Sequence, residues 1–257
     1  DRVFAFRLMF AIRSFNKAQI IAAADTTFTI TPAGKQQVVF IENHDIDRFS
    51  SAVHQDSGKQ RVGAALNLLI GGVPSIYYGQ ELGMTGVTGK FGMTDANDIP
   101  KREAFEWYKS DTGKGMALWY KNSGPWWDST NLKPDDGISL EEEKSNPNSL
   151  WNFYRNLINI RETNSPLISG AYQTLTNSND QVFSFLRYEK EKNKNKGVMV
   201  VVNLSDVRQE AKIDFTASKL KPQQQHFQSL LGNEKLNIFH DTVYITLPPY
   251  GIKAAAL

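Results

Sequence analysis

The chain has no cysteine, so disulfides contribute nothing to its fold. That absence suits a cytoplasmic protein and a bacterial secreted one equally, and leaves the compartment open. No apolar run approaches the roughly 20 residues needed to cross a bilayer. The opening stretch, Asp1 to Phe15, carries charges inside its apolar pattern and reads as a domain segment, not a signal peptide, with no membrane as partner. A dominant charge is also missing. The 29 Lys+Arg and 27 Asp+Glu nearly cancel, and no long basic face is available to neutralise a phosphate backbone, which argues against nucleic acid. No internal repeat is visible. What is present is a 40% hydrophobic chain of 257 residues, enough for one large core or two modest ones, with two units favoured by the length.

Apolar periodicity divides the chain. From Phe4 onward, Leu8, Ile12 and Phe15 recur at helical spacing and predict a helix over about 7–24. Thr31 to Gly34 breaks it. Val38 to Ile41 is a short continuous apolar run, as expected of a parallel strand covered on both faces. Val62, Ala65, Leu66 and Leu69 give a second helical face that ends at Gly71 and Gly72, before another buried strand over Val73 to Tyr78. This is a βαβ pattern. Gly79 to Asn148 has no sustained period and reads as one long, elaborated loop, of the kind that usually carries function. A third helix follows, with Leu150, Phe153, Tyr154, Leu157, Ile158 and Arg161 on its periodic positions, Ser149 as N-cap and Pro166 beyond its end. After Gly170 the pattern shifts to β-rich runs at Val182 to Tyr188, Val198 to Val202, Ile213 to Phe215, Val243 to Leu247 and Ile252 to Ala256, which suggests an antiparallel sandwich. The charged segment Glu189 to Lys196 reads as a solvated hairpin tip.

Three constellations carry possible chemistry. Phe40 to Asp45 runs from a buried strand straight into Asn43, His44 and Asp45, and ligands of parallel α/β sheets sit at the C-terminal ends of strands. Equally, Asn43 and Asp45 could cap backbone amides of a turn, with His44 a structural histidine. Gly72 to Glu81 repeats the strand-to-loop pattern, with Gly79 allowing a tight turn that leaves Tyr77, Tyr78 and Glu81 near the strand end; tyrosines there are more often packing residues. Asp98 and Arg102, four apart in the long loop, are either a surface ion pair of little worth or a source of directional hydrogen bonds to vicinal hydroxyls. Trp107, Trp119, Trp126 and Trp127 offer flat faces to sugar rings, or pack the loop.

Taken together, these motifs resemble the α-amylase family, glycoside hydrolase family 13. Phe40 to Asp45 is similar to the end of that family's seventh barrel strand, Gly72 to Glu81 to its eighth, and Asp98 to Trp107 to the substrate-contacting loop after it. Ser149 to Glu162 with Asn164, Pro166 and Gly170 resembles the last barrel helix and its exit, and Leu247 to Gly251 the last strand of the C-terminal sandwich. The resemblance implies an α/β fold: the last strands and helices of a (β/α)8 barrel over 1–165, from the end of strand six to helix eight, then an antiparallel all-β sandwich over 166–257. It also implies part of a retaining hydrolase of α-glucosidic bonds in starch or maltooligosaccharides. By the same resemblance Asp45 matches the third catalytic carboxylate, a transition-state stabiliser, and His44 its neighbour in the same subsite. Asp98 and Arg102 match a pair holding the next sugar, with Asn43, Arg48, Tyr78 and Glu81 as supporting substrate-binding candidates.

The departure from the family pattern is as informative. The G-x-R-x-D nucleophile motif and the acid/base glutamate that ends strand five have no match in these residues. The expectation is therefore a fragment, inactive alone, whose partners are an α-glucan or maltooligosaccharide and the N-terminal remainder of the barrel. No cofactor or metal is expected in this segment; the family's calcium site lies mostly in the missing part. The resemblance favours an extracellular or periplasmic location. The alternative is a non-catalytic, amylase-like carbohydrate-binding or scaffold protein, although such proteins tend to lose the polar strand-end residues retained here.

Overall fold

The computed structural model describes residues 1–126, 134–191, 194–222, 226–232 and 235–257. The chain opens with strand β1 (Arg2–Phe4), helix α1 (Phe6–Arg13), helix α2 (Lys17–Ile30) and strand β2 (Gln36–Val39). The single helix expected over 7–24 is thus two. Phe15 sits at φ 52°, outside the helical region, and the Asn16 side chain accepts a hydrogen bond from Gln19 N to start α2.

Helices α3 (Phe49–Ala52) and α4 (Ser57–Leu69) follow, then strand β3 (Val73–Pro74). The Asp56 carboxylate accepts from Lys59 N at 2.9 Å and caps the start of α4. Its end falls where the glycines predicted, with Gly71 at φ 138° and Gly72 at φ 65°. Strands β1, β2 and β3 form a parallel three-stranded sheet in that order, with Phe4 opposite Val38 and Val38 opposite Val73. Strand β2 lies two residues earlier than the expected Val38 to Ile41, and β3 is shorter than the expected Val73 to Tyr78. Ser75 N still bonds Val39 O at 2.8 Å, but beyond it the chain turns, so Ile76 to Tyr78 leave the sheet and Gly79, at φ 80°, starts a 3-10 turn over Gln80–Leu82.

The long loop holds a second 3-10 helix, Asp95–Lys101, and one helix that periodicity missed, α5 (Leu140–Lys144), started by a reciprocal capping box between Ser139 and Glu142. Trp127 lies outside the described residues. Helix α6 (Leu150–Thr163) begins as predicted, with Ser149 Oγ accepting from Asn152 N at 3.1 Å, and Pro166 opens a short further helix, α7 (Ser165–Ser169).

The rest of the chain is antiparallel strand: β4 (Ala171–Thr174), β5 (Thr176–Asn177), β6 (Val182–Glu191), β7 (Lys194–Asn203), β8 (Gln209–Asp214), β9 (His226–Ser229), β10 (Lys235–Phe239), β11 (Thr242–Leu247) and β12 (Ile252–Ala256). Neighbours run β4-β6-β7-β12-β9-β10-β11-β8-β5. Strand β10 divides its pairing, Lys235 to Asn237 with β9 and Ile238 and Phe239 with β11, so the two arms of the ladder meet there. Alternation in β8, β9 and β11 sends one face inward, and Leu186, Met199, Val201, Ile213, Phe227 and Val243 join one apolar cluster. Strands β4, β5, β9 and β10 were not legible, being short or rich in polar residues. Part of the charged hairpin tip expected at Glu189 to Lys196 lies outside the described residues.

Spatially the chain divides into two compact units, Asp1–Val39 with Arg61–Ser75 and Leu157–Leu257, and Phe40–Gln60 with Ile76–Asn156. The boundary expected at 165 falls inside the first. Within that unit the carbonyls left open at the end of α4 are taken by arginines from distant elements: Arg161 donates to Leu68 O at 2.6 Å and Gly72 O at 2.7 Å, and Arg187 to Ile70 O at 3.4 Å. Burial pulls Arg187 down to about 10.

Candidate active site

Every candidate site residue falls in the second unit, which begins where β2 ends. Phe40 and Ile41 are buried, Glu42 is buried, and the chain then turns outward through Asn43 to Asp47. Asn43 Oδ1 builds that turn by accepting from the backbone N–H of Asp45 at 3.0 Å and of Ile46 at 3.2 Å. The capping role open for Asn43 is therefore real. Asp45 does not cap: its carboxylate is 57% exposed, 3.2 Å from His44 Nε2 and 3.4 Å from Arg102 Nη2.

Arg102 ties this turn to the 3-10 helix. Its Nε donates to His44 O at 3.0 Å and its Nη2 to Asp98 Oδ2 at 2.7 Å. The four-residue spacing of Asp98 and Arg102 on one turn allows the pair to form while Arg102 still faces Asp45. Lys101, fully buried beside them, donates to Asp98 Oδ1 at 2.7 Å, to the Asp45 carbonyl at 2.9 Å and to Thr88 Oγ1 at 3.0 Å. The Lys101 ammonium and, more weakly, the Arg102 guanidinium hold the Asp98 carboxyl below the usual carboxylate range. Asp45, His44, Asp98 and Arg102 thus converge, as an accessible carboxylate among N–H donors that can exchange hydrogen bonds with hydroxyl groups.

Beneath this surface lies a buried ion pair. Arg48 Nη1 donates to Glu42 Oε1 at 3.0 Å and to the Tyr78 carbonyl, while Glu42 Oε2 accepts from Phe49 N. The guanidinium carbon stands 4.3 Å from the centre of the Tyr77 ring and 4.7 Å from that of Tyr78. The side chain of Arg48, a substrate-binding candidate, is 0% exposed in this structure and packs against the two tyrosines. Tyr78 is partly exposed, with its hydroxyl donating to Glu103 O at 2.7 Å. Burial raises the Tyr77 hydroxyl well above its ordinary value. Glu81 is largely buried and its carboxyl is raised by that burial. No bond links it to Asp45 among the described residues.

Sequence patterns overlooked Lys101, Thr88, Asp47 and Glu106. Asp47 Oδ1 accepts from Thr88 N at 2.7 Å and from Thr88 Oγ1 at 2.9 Å. Glu106 is buried, and desolvation, followed by the nearby Asp136 and Glu103 carboxylates, pushes its carboxyl up to about 8. Only Lys101 carried a local signal, three residues after Asp98 on a helical turn. Of the tryptophans, Trp107 and Trp119 expose 45% and 64% of their surface, enough to meet a flat ring, and Trp126 Nε1 donates to Ser123 Oγ at 2.9 Å. Among the described residues no group of three or more His, Asp or Glu is placed to hold a metal ion.

Residues 6–170 match the family model described as "Alpha amylase, catalytic domain". Among curated proteins, the chain is 30% identical over 197 residues to the probable oligo-1,6-glucosidase 3 of Bacillus subtilis, covering 65% of this chain and 34% of that one. It is 29% identical over 170 residues to alpha-amylase 3 of Dictyoglomus thermophilum, covering 66% and 30%. The chain spans about a third of the length of these relatives. Among solved structures, the alpha-amylase from H. orenii superimposes with a TM-score of 0.71 at 23% identity, covering 100% of this chain and 49% of that one. An isomaltulose synthase from Erwinia rhapontici superimposes at 0.68 and 20% identity, covering 94% and 46%. At such identities the likeness is one of fold.

Proposed function

Because this chain belongs to the α-amylase family of glycoside hydrolases, we propose that it forms part of a retaining α-glucan hydrolase, with Asp45 as the carboxylate that stabilises the transition state. The observation that carries this reading is the accessible Asp45 carboxylate at the exit of β2, with His44 Nε2 at 3.2 Å and Arg102 Nη2 at 3.4 Å. On this reading β1, β2 and β3 are the last three strands of a (β/α)8 barrel, 1–165 its closing portion, and 166–257 a β-sandwich. The relatives named as an oligo-1,6-glucosidase and an alpha-amylase support an α-glucan or maltooligosaccharide as substrate. The nucleophile and the acid/base come from the partner portion of the barrel, since no G-x-R-x-D motif lies in these residues. Any calcium also binds there.

Asp45 accepts hydrogen bonds from ring hydroxyls that tighten as the sugar flattens toward an oxocarbenium ion, which lowers the barrier without comparable ground-state binding. His44 donates in the same subsite. Arg102, loaded by Asp98, holds the adjacent sugar, and the exposed faces of Trp107 and Trp119 extend the surface along the glucan. The test is Asp45→Asn in the complete enzyme. It is nearly isosteric and should cut turnover on the order of a thousandfold while changing stability by less than about 1 kcal/mol. Near-parental turnover with a lowered melting temperature would reduce Asp45 to a turn residue.

A further inference from the structure

Among the described residues the Asp45 carboxylate makes only long contacts, at 3.2 Å and 3.4 Å, and it is more than half exposed, so these partners do not fix its direction. The backbone that carries it is fixed. The Asp45 N–H is held by Asn43 Oδ1 at 3.0 Å and its carbonyl by Lys101 Nζ at 2.9 Å, which occupies both main-chain polar groups of the residue. Lys101 is 0% exposed, and its three ammonium donors meet three acceptors: Asp45 O, Thr88 Oγ1 and Asp98 Oδ1. The second of these acceptors, Thr88 Oγ1, itself donates to Asp47 Oδ1 at 2.9 Å, which pins the far side of the same turn.

A buried ammonium is costly. Taking one out of water costs several kcal/mol, and an apolar side chain of the same length is often neutral or stabilising in its place. Two of the three acceptors lie 13 and 56 residues from Lys101, so the cation joins to its own 3-10 helix parts of the chain with no local reason to meet it. One of them bears the proposed transition-state carboxylate and another the partner of Arg102.

From this convergence we infer that Lys101 is a positioning residue for the reaction: it orients Asp45 through the peptide carbonyl and sets Asp98 so that Arg102 faces the same substrate. The inference rests on the proposed role of Asp45. Lys101 touches no substrate. Its ammonium holds the turn from Asn43 to Asp47 against the 3-10 helix, so that the carboxylate meets ring hydroxyls without reorganising during the reaction.

Lys101→Met keeps the side-chain length and removes the charge. In the complete enzyme acting on maltooligosaccharides, kcat is expected to fall about a hundredfold with KM within about threefold of the parent value, because orientation matters chiefly in the transition state. On an Asp45→Asn background the same substitution should cost less than about threefold, since residues that act as one unit do not add. Parental kcat in Lys101→Met, or an equal cost on both backgrounds, overturns the inference. Should Lys101→Met not fold, Thr88→Val decides, because Thr88 is exposed and the substitution removes one acceptor of Lys101 and a donor to Asp47. A drop of about tenfold in kcat with unchanged KM is expected there, and parental kcat refutes the inference. An Asp45→Asn enzyme with parental turnover brings down the proposed function itself and this inference with it, whereas an impaired Asp45→Asn beside a fully active Lys101→Met brings down Lys101 alone.

Discussion

The Arg102 guanidinium stands 3.4 Å from the Asp45 carboxylate although 57 residues separate them in the chain. The same Nη2 lies 2.7 Å from Asp98, so the pair at 98 and 102 is no isolated surface ion pair: it presents an arginine to the strand-exit turn. Removing the guanidinium should therefore affect substrate more than fold. Arg102→Ala in the complete enzyme is expected to lower kcat/KM by about 1.5 to 3 kcal/mol, roughly 10- to 150-fold, through loss of a charged hydrogen bond to the sugar. Kinetics on short and long oligosaccharides measure it, and parental values on both would remove Arg102 from the substrate surface.

The 257-residue chain alone should release no reducing sugar from starch or maltooligosaccharides, because the carboxylates that make and break the glycosyl-enzyme bond are not among its assigned residues. Incubation at high protein concentration, followed by a reducing-end assay, is the measurement. Turnover in a preparation free of other polypeptides would mean that nucleophile and acid/base lie within these residues.

Arg48 and Glu42 are predicted to matter for stability and only indirectly for catalysis. Their side chains are 0% and 1% exposed, so Arg48→Met removes the counter-charge of a buried carboxylate and should cost about 3 to 5 kcal/mol in urea unfolding. Adding Glu42→Gln removes the uncompensated charge and should recover part of that loss. A double variant no more stable than Arg48→Met would count against the ion pair as the source of the effect.

Glu106 should make stability depend on pH. Its folded-state value of about 8 lies above the ordinary 4.5, so between those values the folded chain keeps a proton that the unfolded chain has released. Stability then falls as pH rises across that window, by up to about 1.4 kcal/mol per pH unit. Glu106→Gln should flatten the slope and be more stable than the parent above the window. Urea midpoints at three pH values across the range test this, and parallel profiles for parent and variant would refute it.

Local pattern was enough to read much of the fold. Continuous apolar runs marked β2 and the start of β3, helical spacing marked α4 and α6, Ser149 and the glycines at 71 and 72 marked helix ends, and β-rich runs marked β6, β7, β11 and β12. These features depend on neighbours within a few residues, where period, capping chemistry and allowed φ leave direct traces. The break at Phe15 was hidden because apolar spacing continues across it, and the positive φ is offset by a cap one residue on.

The motif from Phe40 to Asp45 likewise announced itself, as polar residues at the end of a buried run. Charge state and burial at the site did not. Arg48 and Arg102 look alike in the chain, yet one is 0% exposed beneath two tyrosines and the other 35% exposed beside Asp45. Lys101 and Lys90 both lie in the long loop, but Lys101 is buried against Asp45, Thr88 and Asp98, and Lys90 is exposed. The reason is physical. An ionisable group's role depends on solvent access and on partners brought in by chain folding from tens of residues away, and neither is encoded in local periodicity.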